Sequence, residues 1–294
     1  MKNLKSISLG FLLAGMACQQ NPKSETTSSD NSTPLLTKVW ESDTLLTTSE
    51  SVIYHPELDV LFVSCIGNTP PDNIDGDGFI AQVSPENGEI LNLKWIKGLS
   101  APKGMGIVGN SLFVADISQV VEIDIAQSKI IGSYLVDGAK FLNDITVTAD
   151  STVLISDSGT NQISQIKNGR LSLYKEGEPL AGPNGLLVDG DDLYIASFGG
   201  SGAFIQMDRV TQQSTVLVDS ISGGDGVVAY GDDFVVSTWA GEIYHVTRDG
   251  TKTLLQDTRE AKINAADIWY SPEKELLLVP TFFANSVTAY KIEK

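Results

Sequence analysis

One short register recurs six times along the chain and limits its fold more than any other feature. The clearest copy is Gly182-Pro183-Asn184-Gly185-Leu186-Leu187-Val188, and it returns as Gly223-Gly224-Asp225-Gly226-Val227-Val228. Earlier copies are Leu142-Asn143-Asp144-Ile145, Pro102-Lys103-Gly104-Met105 and Ser49-Glu50-Ser51-Val52, and the last is Ala265-Ala266-Asp267-Ile268. The lead positions 50, 103, 143, 184, 225 and 266 are separated by 53, 40, 41, 41 and 41 residues. A fixed period of that size marks a solenoid, propeller or array.

Within each period the pattern is short strands parted by turn residues. In the third repeat the expected strands are 144–148, 152–156, 162–167 and 170–174, with Asn168-Gly169 as a hairpin turn. The fourth repeat reads 186–189, 192–197, 203–207 and 214–218, and the fifth 227–230, 233–238, 242–246 and 251–256. Four antiparallel strands in about forty residues make the blade of a β-propeller. The last repeat supplies only three strands, 268–270, 275–279 and 287–292, and an orphan strand at 37–42 can complete it. The expected fold is therefore all-β: a six-bladed β-propeller over residues 37–294, closed by pairing of its two ends, which removes an exposed sheet edge.

The balance of 20 basic against 37 acidic residues, a formal charge of −17, argues against nucleic-acid binding, which needs clustered cations. Residues 1–17 read as a signal peptide, with Lys2 and Lys5 ahead of a short apolar run too short to span a bilayer. Gly15-Met16-Ala17-Cys18 resembles a bacterial lipoprotein signal, which implies a lipidated Cys18, a polar tether over 18–36 and an exported protein of the cell envelope, periplasmic or surface-facing. The membrane would then be met through the lipid anchor alone. Cys65 lies in an apolar run and reads as a small core residue.

Innermost strands of a propeller line its central channel. Five of the six lead residues, Glu50, Lys103, Asn143, Asn184 and Asp225, are polar, so they converge from separate blades on one concave site. Glu50, Asn184 and Asp225 offer two carboxylates and an amide oxygen, the ligand type that hard divalent cations prefer. Turn chemistry explains a single Asn-Gly or Asp-Gly, but not Glu-Ser, Lys-Gly and Ala-Asp at the same register. Lys103 adds a cation that either pairs with Glu50 or orients an anionic ligand. The first period is longer than the rest (53 against 41), and its excess holds Asn73-x-Asp75-x-Asp77-Gly78, similar to the first half of a calcium loop but with Ser84 at the twelfth position. A solvated loop is the plainer reading.

These residues carry a resemblance to the senescence-marker-protein, gluconolactonase and luciferin-regenerating-enzyme superfamily of six-bladed propellers. The likeness spans about the whole of residues 39–294, as a domain of this size would. It implies a divalent metal, calcium first and zinc, magnesium or manganese as alternatives, held by Glu50, Asn184 and Asp225. It implies that Asn143 contacts substrate or metal-associated water, that Asp225 acts as general base, and that sugar lactones or related esters are hydrolysed. The chain departs from the family in having Ser51-Val52 after Glu50 and no Arg shortly before Asn143. The competing expectation is a propeller that binds a small molecule or a protein without catalysis. A monomer is expected in either case.

Other motifs fail on context. Gly104-Met105-Gly106-Ile107-Val108-Gly109 matches a dinucleotide fingerprint but coincides with a channel strand rather than a strand–helix turn. No phosphate-binding Gly-Lys-Ser/Thr loop and no Gly-x-Ser-x-Gly elbow occurs, so nucleotides are not expected. His55 falls in a turn and His245 in an outward strand, which disfavours a Ser-His-Asp triad. Asp116, Asp157, Ser197, Trp239 and Thr281 end second strands, where Asp157 is expected to cap a turn and Trp239 to pack between blades.

Overall fold

The computed structural model describes residues 35–293 apart from residue 69. The expected signal peptide, Cys18 and the tether as far as residue 34 lie outside the described residues. Strand β1 (Leu35–Glu41) comes first. Blade 1 is β2 (Ser49–His55), β3 (Val60–Cys65), β4 (Gly78–Val83) and β5 (Ile90–Leu99). Blade 2 is β6 (Pro102–Val108), β7 (Ser111–Asp116), β8 (Gln119–Asp124) and β9 (Lys129–Leu135). Blade 3 is β10 (Leu142–Val147), β11 (Val153–Asp157), β12 (Gln162–Lys167) and β13 (Arg170–Glu176). Blade 4 is β14 (Pro183–Asp189), β15 (Asp192–Ser197), β16 (Phe204–Asp208) and β17 (Ser214–Val218). Blade 5 is β18 (Gly224–Tyr230), β19 (Asp233–Thr238), β20 (Glu242–Val246) and β21 (Lys252–Asp257). Blade 6 is β22 (Trp269–Ser271), β23 (Leu276–Pro280), β24 (Val287–Glu293) and, as its outer strand, β1.

Every sheet is a four-stranded antiparallel meander, and the last has the order β1-β24-β23-β22. The end-to-end closure expected from the sequence is thus present. Trp40 of β1 anchors it: the indole is buried among Leu61, Val63 and Leu278, and its Nε1 donates to Pro85 O at 3.1 Å in blade 1. Second strands such as β11 are buried along their whole length because a neighbouring blade covers each face. Outer strands such as β9 are mostly exposed. The apolar core accordingly divides into interblade layers, for example Ile53, Phe62 and Ile80 of blade 1 against Met105, Leu112 and Val114 of blade 2. Each large aliphatic side chain buried in such a layer contributes about 1.5–3 kcal/mol.

The Asn168-Gly169 turn has φ of 51° and 71°, the double left-handed conformation that matches the twist of a two-residue hairpin. Inner strands begin earlier than expected in blades 4 and 5, at Pro183 and Gly224, where Pro183 pairs with Ser197 and Gly224 with Thr238. Immediately after that pair the register shifts. Such a bulge occurs in the inner strands of blades 1 to 5; in blades 2 to 5 it falls on the lead residue and its successor, and in blade 1 on Glu50 alone, with Ser51 paired to Ser64. A bulge places two residues opposite one and re-aims their side chains.

Candidate functional site

Because of the bulge, consecutive residues both reach the channel, at two different levels. Glu50, Lys103, Asn143, Asn184 and Asp225 line a cavity of about 440 Å³ at one mouth. All five are buried. Their successors Ser51, Gly104, Asp144, Gly185 and Gly226, with Asp267 after Ala266, form the next layer. That layer is tightly closed. A Cβ on Gly185 would lie 2.0 Å from Asp225 O, and one on Gly104 would lie 2.5 Å from Asp144 Cα. The three side chains present there are bonded together or to the next blade. Ser51 Oγ donates to Asp267 Oδ2 at 2.5 Å, Leu186 N donates to Asp144 Oδ2 at 2.6 Å, and the Asp267 charge acts on Asp144.

A second cavity of about 1020 Å³ opens on the other side of this layer and shares no lining residue with the first. It is the larger, but its inner walls are largely aliphatic, including Val52, Ile145, Leu186 and Ile268, and its buried carboxyls Asp144 and Asp267 already have partners. Of the eight buried side-chain polar atoms without partners among the described residues, three belong to residues that line the smaller one. Glu50 Oε2, Asn184 Oδ1 and Asp225 Oδ1 are buried oxygens with no hydrogen-bond partner. Buried polar atoms are seldom left in that state without an ion or ligand to meet them. These are one oxygen from each residue that the sequence nominates for a cation, so the donor set fits a hard divalent ion. Among the described residues no group of three or more His, Cys, Asp and Glu side chains is arranged to hold a metal; this set has two carboxyls and an amide.

The electrostatics carry the same strain. Burial pushes the Glu50 carboxyl well above the usual range, and the Asp225 and Asp267 charges add to the rise. Burial and then Asp267 raise Asp225 likewise, against a hydrogen bond from Asn184. Burial, with Asp267, raises Asp144. Asp267 is pushed up to about 7 by burial, with the bonds from Ser51 and Asp144 acting against the rise. Four buried carboxyls in two adjacent layers cannot all ionise without a compensating cation.

Lys103 does not supply that compensation directly. Its Nζ donates to Ala101 O at 3.1 Å and Pro71 O at 3.3 Å and stands 4.4 Å from the centre of the Phe141 ring. Burial lowers its pKa, and the charges of Glu50, Asp116 and Asp72 oppose that shift. Of the two roles expected for it, pairing with Glu50 is not the arrangement observed. Pro71 belongs to the extra residues of the first repeat, so that insertion reaches over the mouth. Its acidic side chains turn to each other and to the loop: Asp77 accepts from Asn68 N at 3.0 Å and Asn68 Nδ2, and Asp75 accepts from Asp77 N at 3.3 Å. The loop brings together no cation cluster among the described residues.

The ends of the second strands hold the lead residues in place. Asp157 accepts from Lys140 N at 3.1 Å, Phe141 N at 3.0 Å and Gly159 N at 2.9 Å, just ahead of Asn143. Asp116 accepts from Ala101 N at 2.7 Å and does the same ahead of Lys103. Asp157 therefore caps its turn as expected. Trp239 packs edge-on against Phe282 and Phe283 of the next blade, at 5.5 and 5.9 Å between centroids, and also faces the small cavity. A third device is internal: Ser156 Oγ accepts from Asp144 N and donates to Asn184 O, both at 2.8 Å, which fixes one bulge against the next blade. Ser237 Oγ does likewise with Gly226 N at 2.9 Å and Ala266 O at 2.7 Å.

His55 accepts from Leu58 N in its turn, and His245 pairs with Asp233 at 3.1 Å on β20. Neither lines the small cavity. Cys65 is a buried free thiol in a core layer, raised well above its usual pKa by burial.

No protein-family model matches the sequence, and no curated protein does. Several solved structures share the fold. A calcium-binding protein, regucalcin, from Agrobacterium tumefaciens superposes with a TM-score of 0.63 at 14% identity, over 87% of this chain and 94% of that one. A catalytically inactive virginiamycin B lyase from Staphylococcus aureus, solved with quinupristin, gives 0.62 at 15% identity, over 88% of this chain and 100% of that one. A chain of a nidogen/laminin complex gives 0.63 at 14% identity, over 76% and 84%. Likeness at these identities speaks for architecture, and with the six four-stranded blades described above it places the chain among the β-propellers.

Proposed function

We propose that the chain is a divalent-metal-dependent hydrolase of a small lactone or related ester, acting at the smaller cavity. The observation that carries the reading is the set of three unpartnered buried oxygens, Glu50 Oε2, Asn184 Oδ1 and Asp225 Oδ1, on three separate blades. They would hold the cation, with calcium the first choice for an all-oxygen set and zinc, magnesium or manganese the alternatives. When bound, the ion supplies Lewis-acid polarisation of an ester carbonyl.

This chain's own groups do the rest. Asn143 Nδ2 is tied to Ser158 Oγ at 3.2 Å, which fixes the amide so that its oxygen can orient substrate or water. Asp225 is the candidate base, because a carboxyl raised by burial accepts a proton more readily than an ordinary one. The third proton of Lys103 is available to an anionic or carbonyl oxygen, since two carbonyls occupy the others. Elemental analysis of the purified chain beside Asp225→Ala tests the reading. One divalent ion per chain, lost in the variant together with lactone turnover, supports it. Full activity in the variant would defeat it.

A second reading, a propeller that binds a small molecule or partner protein without catalysis, is favoured by Lys103, whose buried cation weakens the field available to a metal. Ligand binding without turnover across a lactone panel would select it. We further propose that the protein is an exported monomer of the bacterial cell envelope, attached through a lipid on Cys18. Membrane fractionation of a Cys18→Ser variant tests the anchor.

A further inference from the structure

The small cavity is polar only at its base. Glu50, Lys103, Asn143, Asn184 and Asp225 form that base, and the remaining hydroxyl, Ser158 Oγ, already donates to Pro183 O at 2.8 Å and receives Asn143. The walls above are Ile66, Phe141, Phe198, Trp239, Phe282 and Phe283. Trp239, Phe282 and Phe283 form one continuous edge-to-face cluster, with Phe282 and Phe283 centroids 4.8 Å apart. Phe198 and Phe283 remain 48% and 53% exposed at the rim. Five aromatic rings around one mouth, two of them left half in water, are a surface waiting to be covered by an apolar group.

We infer that the site takes a lactone or ester carrying an apolar, aryl-sized substituent rather than a polyhydroxylated sugar lactone. The word ester rests on the hydrolase reading above; the apolar substituent rests on the walls. A sugar lactone brings several hydroxyls, each of which loses water on entry and needs a replacement partner. The walls hold no side-chain donor or acceptor for them beyond the indole of Trp239. An aryl or alkyl substituent instead removes both its own surface and the rim rings from water. A volume of about 440 Å³ lies within the usual range for small-molecule sites and accommodates such a ligand.

Two probes test this, γ-phenyl-γ-butyrolactone and D-glucono-δ-lactone, titrated calorimetrically into the full-length protein with calcium present. Tryptophan fluorescence is a second readout, since Trp239 is in the wall. The phenyl lactone should bind at least about tenfold more tightly, the effect of burying one ring. Phe283→Ser, at a half-exposed position on the rim, should erase most of that preference while circular dichroism shows the fold retained. Equal or tighter binding of gluconolactone, binding of neither probe, or an unchanged preference in Phe283→Ser would each overturn the inference. Its failure is separable from that of the hydrolase reading. Phenyl-lactone binding with no hydrolysis under any divalent ion defeats the reaction and keeps the ligand class. Metal-dependent hydrolysis of gluconolactone without phenyl preference does the reverse.

Discussion

Asp225 of blade 5 raises the pKa of Glu50 of blade 1, and each of these buried carboxyls turns one unpartnered oxygen to the same cavity. Like charges so placed destabilise the protein until a cation arrives.

That relationship predicts opposite effects of one substitution in two states. In chelator-treated protein at pH 8, Asp225→Asn should raise the melting temperature, because a buried carboxyl whose ionisation burial opposes has been removed. With saturating calcium it should lower the melting temperature relative to the parent, because ion binding stabilises the folded state only while the ligand set is complete. Scanning calorimetry with and without calcium checks both signs.

The same carboxyls set a pH dependence. Glu50, Asp144, Asp225 and Asp267 all have folded-state values above the ordinary carboxylate value, and Asp267 stands at about 7. Between the unfolded and folded values the folded protein binds more protons, so stability falls as pH rises. Metal-free protein should therefore lose stability steadily from about pH 4 upward, with Asp267 completing its share near neutrality. Asp267→Asn should flatten the upper part of that slope. Denaturant midpoints measured from pH 4 to 8 give the curve, and a rise over this interval would contradict it.

Close approach in the channel predicts a contrast between two glycines. Gly185→Ala puts a methyl 2.0 Å from Asp225 O and should cost at least about 1–3 kcal/mol while displacing a cation ligand. Gly132→Ala, on the exposed strand β9 with open space at its Cβ, should be neutral or stabilise by up to about 1 kcal/mol. Urea unfolding of both variants, with calcium titration of the first, measures the difference.

Ser156 is a positioning residue with two partners on two blades. Ser156→Ala strands Asp144 N and Asn184 O in the interior and should cost about 1–3 kcal/mol. Because Asn184 is a candidate ligand, metal affinity should fall by about tenfold or more, as for other groups that orient ligands. A thermal shift without a loss of metal affinity would assign Ser156 to the fold alone.

The architecture was legible because the channel imposes a period: every blade must present its innermost strand at the same place. The sequence pattern starts the inner strand two residues late in blade 3 and three residues late in blades 4 and 5. Their first residues, Pro183 and Gly224, look like turn chemistry although they pair with Ser197 and Thr238. The nominated residues Glu50, Lys103, Asn143, Asn184 and Asp225 share one cavity because they share that register. The register nominates neither Asp144 nor Asp267 for the site. Simple strand alternation sends the residue after a lead position away from the channel, and for Asp144 only the bulge brings it back, whereas Asp267 lies ahead of β22 and bridges to Ser51 of blade 1. The aromatic rim was hidden for a different reason. Phe198 and Trp239 directly follow the second strands of blades 4 and 5, a position that carries Ile66, Ile117, Ser158 and Thr281 in the other blades, so no recurring residue type announces it.

The layer of Ser51, Asp144 and Asp267 divides the central channel into two cavities that share no lining residue, so the smaller one is a well rather than a tube. Whatever enters past the aromatic rim must leave by the route it came in. Reactant and product then compete for a single doorway, so a reaction carried out at its base would show competitive product inhibition. The speed of turnover would rest on how readily the rim lets its occupant go.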